Sequence, residues 1–143
     1  MKSFTIKKNV YIDAKPEAVF DALTSSDDIV RYFPLRRVAA EWKVGGEILL
    51  EGDVNGEVFR DYGLIQVFSP PHQFKYSYWS DNHGTERTPE NHLTIDYRLC
   101  SHQDETKVEM EQSNLKSEEM FSLMESVWDH LLSNLASYIE TRT

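Results

Sequence analysis

From Ser117 onward, Met120, Met124, Val127, Trp128, Leu131, Leu135 and Tyr138 recur at helical spacing over more than twenty residues. They follow a stretch built mostly of short segments that alternate with period two. A helix of that length spans about 30 Å and carries one apolar stripe. The alternating segments carry one apolar face. Stripe and face have only each other to cover. The expected fold is therefore α+β, a curved antiparallel sheet of about six or seven strands wrapped around the long C-terminal helix.

The remaining punctuation fits that plan. Phe4, Ile6, Lys8, Val10 and Ile12 alternate with Thr5, Lys7, Asn9 and Tyr11, which reads as a strand. Pro16 suits a first helical turn, and Val19, Phe20 and Leu23 share the face of a short helix. Ser25 with Asp28 resembles a capping box for a second short helix that Pro34 stops at Phe33. Strands are then expected over Val38–Val44, Glu47–Glu51, Glu57–Phe68, Phe74–Trp79, His92–Cys100 and Thr106–Gln112. The turn signals between them are Gly45-Gly46, Asn55-Gly56, Ser69-Pro70-Pro71, Ser80 to Asn91, and Ser101 to Asp104. Connections this short make neighbouring strands antiparallel. Without repeats or linkers, residues 1–143 read as one domain.

Charge and cysteine content exclude whole classes of function. A net charge of −9 repels phosphate backbones and anionic lipid heads, so neither nucleic acid nor membrane insertion is expected. No signal-like or membrane-spanning run appears, which points to the cytoplasm. Cys100 is alone, and the five histidines lack ligand spacing, so no metal or other cofactor is expected. Cys100 and His102 fall on the wet side of their strand, as do Lys107 and Glu109, and Glu51 with Asp53 reads as a solvated strand face.

Several local motifs resemble one family. Val10-Tyr11-Ile12-Asp13-Ala14-Lys15-Pro16-Glu17-Ala18-Val19-Phe20 is similar to the opening of the START-like, or helix-grip, branch named for the activator of the heat-shock protein 90 ATPase. Trp42-Lys43-Val44-Gly45-Gly46-Glu47 resembles its strand-turn-strand signature. Gly63, Phe68-Ser69-Pro70-Pro71 and Phe74-Lys75-Tyr76-Ser77-Tyr78-Trp79 are similar to its central hairpin, and Trp128 with Leu131, Leu132 and Leu135 to its closing helix. The sequence departs from the pattern at Tyr32-Phe33, where a pair containing Trp is commoner, and at Lys15, where a helix cap is expected. The resemblance implies a cavity between sheet and helix. The eukaryotic co-chaperones of this name carry a further N-terminal domain, so the name is not read as an activity.

The candidate ligand-binding residues are Tyr32, Phe33, Trp42, Phe74, Tyr76, Tyr78, Tyr97, Met120, Met124 and Val127. Core packing accounts for any one of them. As a set they favour a pocket, because buried tyrosine hydroxyls need partners that water or a ligand can supply. Methionines one helical turn apart suit an adaptable wall. The expected partner is a small apolar or aromatic molecule. Two alternatives stand beside it: a co-chaperone-like partner for a larger protein, and a cyclase-like enzyme using the same cavity. No catalytic set is expected among the inward residues. The polar stretch from Ser80 to Pro89 is expected to form a flap near the pocket mouth.

Overall fold

A computed structural model describes residues 3–54 and 56–142. The elements run β1 (Phe4–Ile12), α1 (Pro16–Leu23), α2 (Ser26–Tyr32), β2 (Leu35–Ala40), β3 (Glu47–Val54), β4 (Glu57–Ser69), β5 (Gln73–Ser80), β6 (Leu93–His102), β7 (Glu105–Leu115) and α3 (Glu118–Arg142). Among the described residues, seven strands form one antiparallel sheet in the order β1-β7-β6-β5-β4-β3-β2. The strands from β2 onward follow as a meander, and the first strand returns to pair with the last, Val10 opposite Val108. This is the α+β sheet-and-helix architecture expected from the period change in the sequence.

The helix ends are fixed by local chemistry. Pro16 opens α1, whose preceding Lys15 makes no side-chain cap. Ser25 Oγ accepts from the Asp28 amide at 3.4 Å. The Asp28 carboxylate does not return that bond but faces α3, accepting from Tyr138 Oη and Arg142 Nη1. At the start of α3, Ser117 Oγ accepts from the Met120 amide at 3.1 Å.

The long helix packs chiefly on β1, with less against β7, while α2 covers β2. Lys8 Nζ reaches Asp129 Oδ1 at 3.0 Å across the helix–strand seam. The buried stripe of α3 is Trp128, Leu132, Leu135 and Ile139. This is narrower than the sequence suggests: Met120, Met124, Leu131 and Tyr138 are half-buried flanks of the core.

Four expectations need correction. The strand expected at Val38–Val44 runs instead over Leu35–Ala40, because the chain turns through residues 41–46. Gly46 lies so close there that a Cβ would stand 2.0 Å from the Glu41 carbonyl oxygen. Glu51 is not solvated: it is buried on the outer face, held by Arg60 Nε at 3.0 Å and Arg36 Nε at 3.2 Å. Asp96, expected on a wet face, is buried beside Gln73 Nε2 at 3.0 Å and Arg98 Nε at 3.2 Å. Long neighbouring side chains cover these outward acids, an effect that alternation alone does not reveal.

The stretch after Ser80 is also more tethered than a flap. A 3-10 turn at Pro89–Asn91 is held by Asn114 Nδ2, which donates to the Glu90 and His92 carbonyls. Trp79 Nε1 donates to Thr85 Oγ1. Arg87 Cζ lies 4.5 Å from the Tyr62 ring centre on the outer face of the sheet, away from the helix.

Candidate functional site

The inner face of β3, β4 and β5 is set by strand parity. Ile48 stands opposite Gly63 and Gly63 opposite Tyr78, while Leu50 and Ser80 both stand opposite Asp61. Cross-strand partners share a face, so all of these point toward the helix side. Gly63 is required there: a Cβ would meet the Ser77 carbonyl oxygen at 2.1 Å and Ile48 Cγ2 at 3.0 Å.

Aromatic rings form a continuous path from the α2–β2 corner to this wall. Tyr32 lies edge-on to Phe33 at 4.7 Å, and Phe33 edge-on to Trp128 at 6.0 Å. Trp128 meets Tyr97 at 6.2 Å, Tyr97 stacks on Phe74 at 6.3 Å, and Phe74 leads through Tyr76 to Tyr78. Trp42 joins from the turn, 5.9 Å from Phe74. Helix and sheet therefore touch at the level of Trp128. Of the predicted set, Tyr32, Phe33, Trp42, Phe74, Tyr76, Tyr78 and Tyr97 are brought together in this path. Met120 and Met124 pack half-buried against the core, and Val127 lines a groove outside it.

The hydroxyls divide into two kinds. Tyr32 Oη donates to the Ala22 carbonyl at 2.8 Å. Tyr78 Oη accepts from Gln112 Nε2 at 2.8 Å, and Gln112 Oε1 accepts from Trp128 Nε1 at 2.7 Å. Gln112 is wholly buried and ties helix to sheet. The Tyr76 and Tyr97 hydroxyls have no protein hydrogen-bond partner among the described residues, yet neither is a sealed, unpaired atom. Burial pushes the phenols of Tyr32, Tyr76, Tyr78 and Tyr97 up from their ordinary range; Tyr32, Tyr78 and Tyr97 each also feel Tyr76, and Tyr76 feels the Asp61 charge.

Asp61 is the residue that sequence reasoning missed. Its Oδ1 is buried without a hydrogen-bond partner. Burial pushes the carboxyl up to about 6, with the Ser80 hydroxyl acting against the rise and the Asp81 charge adding to it. The Asp61 charge in turn reaches Tyr76 and Tyr78. The inward face thus carries a carboxyl that the candidate set did not include. Counting parity back from Ile65 through Gly63 would have found it. At the same end His83 lies edge-on to Tyr78 at 6.1 Å, its imidazole lowered by burial against the pull of Asp81.

Among the hollows on the surface of the described residues, two adjoin the helix pair and the outer sheet face. A groove of about 890 Å³ runs between α2 and α3, lined by Tyr32, Phe33, Pro34, Val127, Leu131 and their neighbours. Another, of about 640 Å³, lies on the outer sheet face beside Leu49, Tyr62, Leu64 and Arg87. The first lies within the size range of small-molecule sites and shares Tyr32 and Phe33 with the ring path.

A family model described as Activator of Hsp90 ATPase homolog 1-like protein matches residues 13–140. Among solved structures, the chain is similar to ChR145 from Cytophaga hutchinsonii, at 27% identity and a TM-score of 0.83, covering 97% of this chain and 95% of that one. It is also similar to CalU16 from Micromonospora echinospora, at 25% identity and a TM-score of 0.70, covering 96% and 75%. The Aha1 dimer from Colwellia psychrerythraea shares the fold at 18% identity and a TM-score of 0.77, covering 96% of each chain. No curated protein matches the sequence. No helix among the described residues is long and apolar enough to cross a membrane.

Proposed function

Because this chain belongs to the Activator of Hsp90 ATPase homolog 1-like family and has its helix-grip fold, we propose that it binds a small, largely apolar molecule between α3 and the inner face of β2–β5. The observation that carries this reading is the contrast in closure along one core. Val38, Leu50, Tyr76 and Tyr78 keep 6–8% of their surface exposed, with Ile48, Ile65 and Phe74 among them at 1–3%, whereas Ile12, Val108 and Leu115 keep none and Val10 beside them is half-buried. An apolar wall left partly open by a helix that sits elsewhere is a place for a ligand's body. The free Tyr76 and Tyr97 hydroxyls supply polar contacts for it. Entry is by the groove between α2 and α3, past Phe33 and Val127.

The test is a thermal-shift titration with 2-naphthol, an aromatic probe with one hydroxyl. Binding to the folded state raises the melting temperature with probe concentration. In this reading Val38→Trp fills the same space, so that variant stays folded and loses the shift. A flat titration of the wild type together with a severely destabilised Val38→Trp would count decisively against it.

A further inference from the structure

The proposed site has a chemical preference that its apolar walls do not set. Asp61 is the acid on this inner face. Its neighbours across the strands are Leu50 and Ser80, with Gly63 and Tyr78 one step along the same face. Ser80 is almost wholly buried, and its hydroxyl donates to Asn82 Oδ1 at 2.6 Å. No cation accompanies the carboxylate: among the described residues Asp61 takes part in no ion pair, and its Oδ1 has no donor. The nearby arginines are committed elsewhere, Arg60 and Arg36 to Glu51 on the outer face and Arg87 to the Tyr62 ring.

A carboxylate with one buried oxygen left without a donor is costly, and a ligand that brings the missing donor recovers that cost on binding. The Tyr78 ring stands one step along the same face, and aromatic faces attract cations while rejecting anions. Building on the ligand-binding reading above, we propose that the molecule taken up is an amphipathic amine, its apolar or aromatic body on the β2–β5 wall and its ammonium group on Asp61 beside the Tyr78 ring. A carboxylic acid or phosphate is the wrong class, because Asp61 would repel it and no free cation faces it there.

The groups that bear on Asp61 are Tyr76, Tyr78 and Ser80 on β5 and Asp81 in the following loop, where His83 lies against Tyr78. Acidification protonates Asp61, and that weakens the hold on an ammonium group. Three probes of one shape separate the possibilities: 2-phenylethylamine, 2-phenylethanol and phenylacetate, each titrated by NMR against the wild-type chain and Asp61→Asn. At pH 7.5 the amine should bind about tenfold or more tighter than the alcohol, and phenylacetate should bind weakest. In Asp61→Asn the amine and alcohol should converge. In the wild type the preference for the amine should fall between pH 7.5 and pH 5, a readout that needs no variant. Equal binding of amine and alcohol at pH 7.5 would overturn the amine assignment and leave the apolar site standing. If all three fail to perturb Tyr76, Tyr78 and Leu50, the site and the assignment fall together.

Discussion

Two regions of the same core are closed to different degrees. Along the seam where β1, β7 and α3 meet, Ile6, Ile12, Val108, Met110 and Leu115 are at most 1% exposed. Across the sheet, the wall of β2–β5 keeps 6–8% exposure at Val38, Leu50, Tyr76 and Tyr78. Both are apolar and both come from alternating strands. The difference lies in what covers them. The long helix runs over β1, tied by Lys8 to Asp129 and by the Asp13 amide to Glu140 Oε2, and the far half of the sheet is left to α2 and to side chains. A fold can thus keep its stability in one half and a receptive surface in the other.

Shortening a side chain in each region should break the comparison most visibly. Leu115→Ala at the seam is expected to cost about 3–5 kcal/mol in urea unfolding, the upper range for a cavity the surroundings cannot refill. Leu50→Ala on the wall should cost about 2 kcal/mol. Equal losses would remove the contrast.

Gln112 joins the two regions, so its loss should be felt in both. Gln112→Leu leaves Trp128 Nε1 and Tyr78 Oη without their partner. A loss of about 2–3 kcal/mol is expected, with Tyr78 resonances shifted.

Acid should sharpen the contrast, because Asp61 belongs to the wall alone. Its carboxyl is raised to about 6 from an unfolded value of 3.8, so the native state holds the proton more tightly than the unfolded chain. The ionised group therefore opposes folding. That cost is absent below the unfolded value, grows from pH 4 to pH 6 and is complete above it. Asp61→Asn should gain about 1–3 kcal/mol at pH 7.5 and almost nothing at pH 3.5, compared by denaturant melts.

Enlarging a side chain gives the smallest effect on the wall. Val38→Phe should change stability by less than about 1 kcal/mol, whereas Val108→Phe should cost about 1–3 kcal/mol or prevent folding.

Much of the architecture was legible because it follows from period. The change from two-residue alternation to helical spacing after Ser117 dictated a sheet with one helix, and the turn signals dictated antiparallel neighbours. What the sequence could not show was where the helix would lie. Trp128, Leu132, Leu135 and Ile139 form the buried stripe, and only the tertiary packing on β1 selects them over Leu131 and Tyr138. The aromatic members of the candidate site were visible as a shared strand face. Asp61 was passed over because a carboxylate in a strand next to Arg60 looks solvated; parity with Ile65 and Gly63 was the available signal, and cross-strand register puts it beside Leu50 and Ser80. Glu51 escaped in the opposite direction, buried outward beneath two arginines.

The central claim is that the wall of β2–β5 has room and the seam does not. Intermolecular NMR contacts with bound 2-naphthol test it directly. The expected contacts are with the methyl groups of Val38 and Leu50 and with the rings of Tyr76 and Tyr78. Contacts confined to the outside of α3, at Leu123, would contradict it.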